Sequence, residues 1–226
     1  MNPPPSPPPP APVPAPVPVP GGTAPRGIYD LAAEDYPPWA GAPVRTLLLC
    51  SHPRSGSTLL GETLHAAGGW GCPLEYFHRG FQPAFAHRWG TPDFPAYLRA
   101  VYRHRTDPTG TLGVKLFWPD VEALVRTLQP DAAADFFAEP RSPLTAAQHQ
   151  TIGAMLAALF PNPTFIHLGR HDAVRQAVSA LIATQTQVWR RIPGVQDHAP
   201  TQAPQYDFAR LRELLAHGEH CRESWE

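Results

Sequence analysis

The sequence predicts an α/β fold: a P-loop-like parallel sheet flanked by helices, behind a disordered proline-rich N-terminal tail. Three observations carry this reading. Leu47-Leu48-Leu49-Cys50 is a short, unbroken apolar run bounded by polar residues, the pattern of a strand buried on both faces of a parallel sheet. The loop Ser51-His52-Pro53-Arg54-Ser55-Gly56 follows at once and opens at Ser57-Thr58 into a helix with Leu59, Leu60 and Leu64 on its apolar stripe. Two further apolar runs, Leu112 to Trp118 and Thr164 to Arg170, each lead into another helical pattern, so strands and helices alternate.

Length and composition allow one medium domain plus a tail, divided at 1–42 and 43–226. A formal net charge of −1 offers no argument for a nucleic-acid surface, and no apolar run is long enough to cross a bilayer. The first twenty residues, MNPPPSPPPPAPVPAPVPVP, lack both the basic start and the unbroken apolar core of a secretion signal. Extended polyproline II is expected there. An inert spacer is the favoured reading, and a ligand for a proline-recognising module is the alternative. Cys50, Cys72 and Cys221 are odd in number and scattered, suggesting neither a disulfide framework nor a zinc site. Cytoplasm is the expected compartment.

A strand, a tight loop and a helix N-terminus together make an anion site. The first helical amides have no intrahelical partner and the dipole is positive there, so a phosphate can accept several N–H bonds. A nucleotide triphosphatase would place a lysine after the loop glycine and a hydroxyl for magnesium. Here Arg54 supplies the cation before Gly56, and an arginine fork with the Ser55, Ser57 and Thr58 hydroxyls suits a nucleotide anion held with no metal. An ordinary turn with a good helix cap has the same composition, so the loop alone leaves both readings open.

Other stretches add candidates. The predicted helix ends at Gly68-Gly69, and the loop Trp70 to Phe77 holds one carboxylate, Glu75, among apolar and aromatic residues. Its place just beyond the helix allows a return to the mouth of the site; a purely local hydrogen bond is the alternative. Asp93 to about His104 is an amphipathic helix. Lys115 lies inside the second predicted strand, where a bound anion would partner it, or where it would guard an edge strand. Pro143 to Phe160 reads as a helix. Arg170 closes the third strand at the edge where ligands of parallel sheets collect. In the helix capped by Asp172, Val174, Val178, Leu181, Ile182, Gln185, Val188 and Trp189 mark the expected packing face, and Ser179 lies off it, free to join Arg170 on a second phosphate or simply to sit on an exposed flank. Phe208, Leu211, Leu214 and Leu215 begin a last helix.

The ordered segments P-R-S-G-S-T-L-L, C-P-L-E-Y-F, G-V-K-L-F-W and F-I-H-L-G-R-H-D-A-V-R-Q-A-V-S, with T-Q-T-Q-V-W-R, resemble the bacterial trehalose 2-sulfotransferase-like family of carbohydrate sulfotransferases, from about Arg45 to Trp225. The resemblance implies a sulfotransferase-type sheet and transfer of a sulfuryl group from 3′-phosphoadenosine 5′-phosphosulfate to a carbohydrate hydroxyl, with no metal. Arg54, Ser55, Gly56, Ser57 and Thr58 match the family's 5′-phosphosulfate loop, Arg170 and Ser179 its 3′-phosphate pair, and Glu75 its catalytic base. Lys115 is expected at the phosphosulfate, while His52 and His78 are alternative bases. The implied partners are a carbohydrate or glycolipid acceptor and a second copy of the chain in a homodimer. In that family a further strand and helices follow the last helix, so a chain incomplete at its C-terminus is expected. The competing classes are a P-loop kinase, disfavoured by the missing lysine, and a non-catalytic interaction module with a degenerate pocket.

Overall fold

The computed structural model describes residues 35–137, 143–190 and 199–226. Its centre is β1 (Arg45–Ser51), which pairs in parallel with β2 (Thr111–Phe117) on one side and β3 (Pro163–Leu168) on the other. The resulting order, β2-β1-β3, makes β1 the inner strand. Its leucines have no solvent-facing side, which is why the run reads as continuous rather than alternating. Neighbouring connections diverge at the carboxyl end of β1, the switch point where open α/β sheets bind ligands.

Between β1 and β2 come α1 (Ser57–Ala67), α2 (Gln82–Arg88) and α3 (Phe94–Arg105). The connection from β2 to β3 holds α4 (Trp118–Leu128), α5 (Pro130–Phe136) and α6 (Ala146–Leu159). After β3 come α7 (Ala173–Thr186) and α8 (Phe208–Trp225). The mixed α/β class, the parallel sheet and its three strands agree with the sequence. The short helices α2 and α5 carry too few residues for a periodic signal and were not anticipated.

The free edge of β2 is covered by the segment after α1. Leu74 bridges Val114 in parallel, and the Lys115 amide donates to the Leu74 carbonyl at 2.9 Å. Glycine permits the approach: a Cβ on Gly113 would stand 2.6 Å from the Trp70 carbonyl oxygen, and one on Gly71 2.2 Å from the Gly113 nitrogen. This covering fixes Glu75 one residue beyond the bridge. Lys115 therefore lies on the outer strand of the sheet yet is buried, which removes the edge-guard reading.

Two predicted faces are corrected. In α1 Leu59 is 70% exposed, whereas Ser57, Gly61 and Glu62 are buried. Gly61 faces the Pro73 carbonyl so closely that a Cβ would meet it at 2.9 Å, so the covering segment selects the small side of the helix. In α7 the buried residues are Ala177, Ala180, Leu181, Ala183 and Thr186, while Val174, Val178 and Ile182 remain exposed. Alanines let α7 lie close to α8 and the β1–α1 loop, whereas a periodicity reading weights the larger apolar residues beside them. The start of the packed chain also differs. Residues 35–42, assigned by sequence to the tail, bind α2 and α3: the Tyr36 and Trp39 amides donate to the His104 and Arg103 carbonyls of α3, and Asp35 pairs with Arg88 at the end of α2 at 3.0 Å. The proline-rich stretch itself lies outside the described residues.

Candidate active site

The loop from Ser51 to Gly56 turns sharply because Arg54 (φ 68°) and Gly56 (φ 95°) both take left-handed backbone. Gly56 stands at the N-cap of α1 and no side chain caps that end. The first amides of α1 are therefore presented with no capping side chain, and the buried Ser55 hydroxyl beside them has no hydrogen-bond partner among the described residues. An uncapped helix N-terminus and an orphaned hydroxyl in one loop fit a phosphate-like anion.

Three side chains from distant parts of the chain meet at this loop. Arg54 Nε donates to Ser179 Oγ at 2.9 Å, and Arg170 donates to the Arg54 carbonyl at 3.2 Å. A further Arg54 N–H donates to the Trp189 carbonyl, and Gln176 on α7 donates to the Pro53 carbonyl at 2.8 Å. Burial, and then the neighbouring Arg170 guanidinium, push the Arg54 pKa below its ordinary value. Two guanidiniums brought together from strand ends 116 residues apart call for an anion between them.

On the β2 side, Lys115 joins the loop to the covering segment. Its ammonium lies 2.8 Å from a Glu75 carboxylate oxygen and donates to Thr58 Oγ1 at 3.1 Å. Thr58 belongs to the first turn of α1, so Glu75, Lys115 and the anion loop form one connected row. An ammonium has three donors; the two named contacts leave one for a ligand. All the residues expected at a site, Arg54, Ser55, Gly56, Ser57, Thr58, Glu75, Lys115, Arg170 and Ser179, thus gather at the carboxyl ends of β1 and β2 and the segment after β3. His78 sits close enough to Glu75 to feel its charge, although burial dominates and lowers its pKa. His52 instead faces α8, its ring 5.4 Å from that of His217. Burial and His217 push its pKa down to about 4.

Three further participants, Asp120, Glu62 and Arg190, are given no role by the sequence. Asp120 caps α4 by accepting from the Phe117 amide at 2.9 Å, and burial, with the nearby Glu75, pushes its carboxyl up to about 7. Glu62, buried on α1, forms a two-pronged ion pair with Arg190 beyond α7. In sequence Asp120 stands only at a helix start and Arg190 only within the T-Q-T-Q-V-W-R segment, while Glu62 has no signal of its own; the fold places all three.

This geometry has a counterpart in known sequences. The family model described as Stf0 sulphotransferase matches residues 46–226. The chain belongs to the Stf0 sulphotransferase family. Trehalose 2-sulfotransferase of Mycobacterium tuberculosis is 35% identical, with 66% of this chain and 61% of that relative covered. The protein of the same name from Mycolicibacterium smegmatis is 34% identical, with 67% and 61% covered. The chain thus spans about 61% of the length of the curated relatives it matches. Among the described residues no helix is long and apolar enough to cross a membrane.

Proposed function

We propose that this Stf0-family chain is a carbohydrate sulfotransferase that takes a sulfuryl group from 3′-phosphoadenosine 5′-phosphosulfate and places it on a hydroxyl of a trehalose-like sugar. The observation that carries the reading is the row Glu75, Lys115, Thr58 running directly into an uncapped, arginine-flanked anion loop. Membership of a sulphotransferase family supports the reaction class and the names of the relatives support the acceptor class; the donor is our own reading of the anion loop.

The donor supplies an activated sulfuryl group on a 5′-phosphate. Arg54, the α1 amides and the Ser55 and Thr58 hydroxyls would hold the 5′-phosphosulfate, and Arg170 with Ser179 the 3′-phosphate. Glu75 accepts the proton of the acceptor hydroxyl as its oxygen bonds to sulfur and the bond from sulfur to the 5′-phosphate oxygen breaks. A positioned base of this kind contributes roughly 10²–10⁴-fold. Lys115 keeps Glu75 on the loop side and offers its remaining N–H to the transferring group, while Arg54 and the helix amides offset charge on the departing phosphate. Magnesium has no part in holding the phosphates, because the groups at the loop are guanidinium, hydroxyl and amide.

Turnover with labelled donor and trehalose tests the reading. Wild type should form sulfated sugar and 3′-phosphoadenosine 5′-phosphate one for one, and Glu75→Gln should bind the nucleotide but not turn over. Near wild-type turnover in Glu75→Gln would move the base to His78 or His52.

A further inference from the structure

Beside the anion loop, His52 from the segment after β1 meets His217 and Cys221 from α8. One potential ligand atom from each lies within 4.8 Å of the others. His217 and Cys221 are one helical turn apart and so share a face. Cys221 Sγ stands 3.6 Å from His217 Nε2 and 3.9 Å from Nδ1. In a tetrahedral zinc centre, with Zn–S about 2.3 Å and Zn–N about 2.0–2.1 Å, sulfur and nitrogen ligands are about 3.6 Å apart. The helical pair is therefore already at ligand spacing.

His52 completes the set. Its ring lies on the α8 backbone at Gly218, where an added Cβ would touch Nε2 at 3.6 Å. Among the described residues Nδ1 of the same ring is buried with no hydrogen-bond partner, an arrangement that is unfavourable unless something binds it. The Cys221 sulfur is fully buried, so a cation there would be shielded from most solvent. A cavity of about 370 Å³ opens alongside, lined by His52, Gly218, Arg170 and Gln176 among others, and gives an ion and one water a way in.

We infer that His52, His217 and Cys221 form a site for a zinc-class divalent transition metal that ties α8 to the anion loop. Two imidazoles and a thiolate are the donors such ions prefer, and a hard magnesium or calcium ion would not choose them. Three protein ligands leave the fourth tetrahedral position for water. Binding displaces the Cys221 thiol proton to solvent and changes no oxidation state. His52 precedes Arg54 by two residues, so the ion braces the loop close to its arginine; it holds the protein, not the phosphates. Reading the cysteines by their number and scatter gave no hint, because two of the three ligands are histidines brought in by α8. The inference stands independently of the sulfuryl-transfer reading.

The untagged full chain, stripped with a chelator and freed of it, is titrated with Co²⁺. One equivalent should produce tetrahedral visible bands and a thiolate-to-cobalt charge-transfer band, both displaced by Zn²⁺. Cys221→Ser should abolish the charge-transfer band and weaken binding at least tenfold, His217→Ala should weaken it likewise, and Cys50→Ser should change neither. X-ray absorption of the zinc-loaded wild type gives a reading that needs no variant, with one sulfur expected in the first shell. Absence of saturable one-to-one binding, a first shell without sulfur, or a charge-transfer band that survives in Cys221→Ser overturns the site.

Discussion

Replacing Lys115 by Met removes the cation from between two carboxylates and the anion loop. The side chain is 1% exposed and that of Glu75 18%, so the ammonium is almost fully desolvated and its partner nearly so. Breaking a buried ion pair on one side costs about 3–5 kcal/mol; the residual exposure of Glu75 puts this site near the lower end, at about 3 kcal/mol. For a chain of this size each kcal/mol moves Tm by about 2–4 °C, so a fall of about 6–12 °C is expected near pH 7.5. Acid should relieve it. Lys115 lowers the Asp120 pKa, which burial and Glu75 have already pushed up to about 7. Without Lys115 it rises further, so the variant's deficit grows as pH rises through neutrality and shrinks toward pH 4. Adding Glu75→Gln removes the unpaired carboxylate and should restore much of the loss, since replacing both members of a buried pair by neutral groups is often close to neutral. Thermal melts of wild type, both single variants and the double variant, at pH 4.5 and 7.5, provide the assay. A Lys115→Met variant that melts with wild type at pH 7.5, or a double variant no more stable than the single, would refute the reasoning.

Other outcomes follow from the same structure. Asp120 has its folded pKa raised to about 7 from 3.8, so the stability it lends is complete below pH 4 and is lost as pH climbs to 7; Asp120→Asn, which can still accept from Phe117, should melt with wild type near pH 4 and higher than wild type at pH 8, by at most about 4 kcal/mol of stability. Equal melting at both pH values would count against it. Arg190→Ala strands the buried Glu62 and should cost about 2–3 kcal/mol, with Glu62→Gln/Arg190→Ala recovering part of it in denaturant titration; no loss in the single variant would show that the pair does not hold α1 to the segment after α7. Deleting residues 1–42 should give a Tm several degrees below that of the chain lacking only 1–34, because Asp35 binds the end of α2 and Tyr36 and Trp39 bind α3; indistinguishable melts for the two truncations would contradict that packing.

Much of the fold could be read from the chain because its inner strand announces itself. The run Leu47-Leu48-Leu49-Cys50 is apolar throughout since both faces of β1 are buried, whereas the loop after it has the composition of an ordinary capped turn and gained its meaning from the other stretches. Arg170 at the end of a strand and Ser179 off the packing face were legible as candidates, but their meeting with Arg54 was not, for it spans more than a hundred residues. The packing faces of α1 and α7 were misjudged for one reason: Gly61 and the alanines of α7 let other elements approach closely, and small residues weigh little in a periodicity. Glu62 and Asp120 were given no place at the site because a buried carboxylate and an exposed one look alike in sequence. The covered edge of β2, which turns Lys115 from an edge residue into a site residue, depends on a bridge at Leu74 that no local pattern announces.

The central claim is that the loop from Arg54 to Thr58, together with Arg170 and Ser179, forms a metal-independent site for a nucleotide carrying both 5′- and 3′-phosphates. Calorimetric titration with 3′-phosphoadenosine 5′-phosphate, against adenosine 5′-phosphate as the ligand lacking the 3′ group, measures it directly. One-to-one binding that is unchanged by adding magnesium is expected, with a clear preference for the 3′-phosphorylated ligand. Charge-assisted hydrogen bonds contribute about 1.5–3 kcal/mol each, so Arg170→Ala should erase most of that preference, about 10–100-fold, and Arg54→Ala should weaken both ligands. No preference between the two nucleotides in the wild type, or unchanged affinities in Arg54→Ala and Arg170→Ala, would contradict the account.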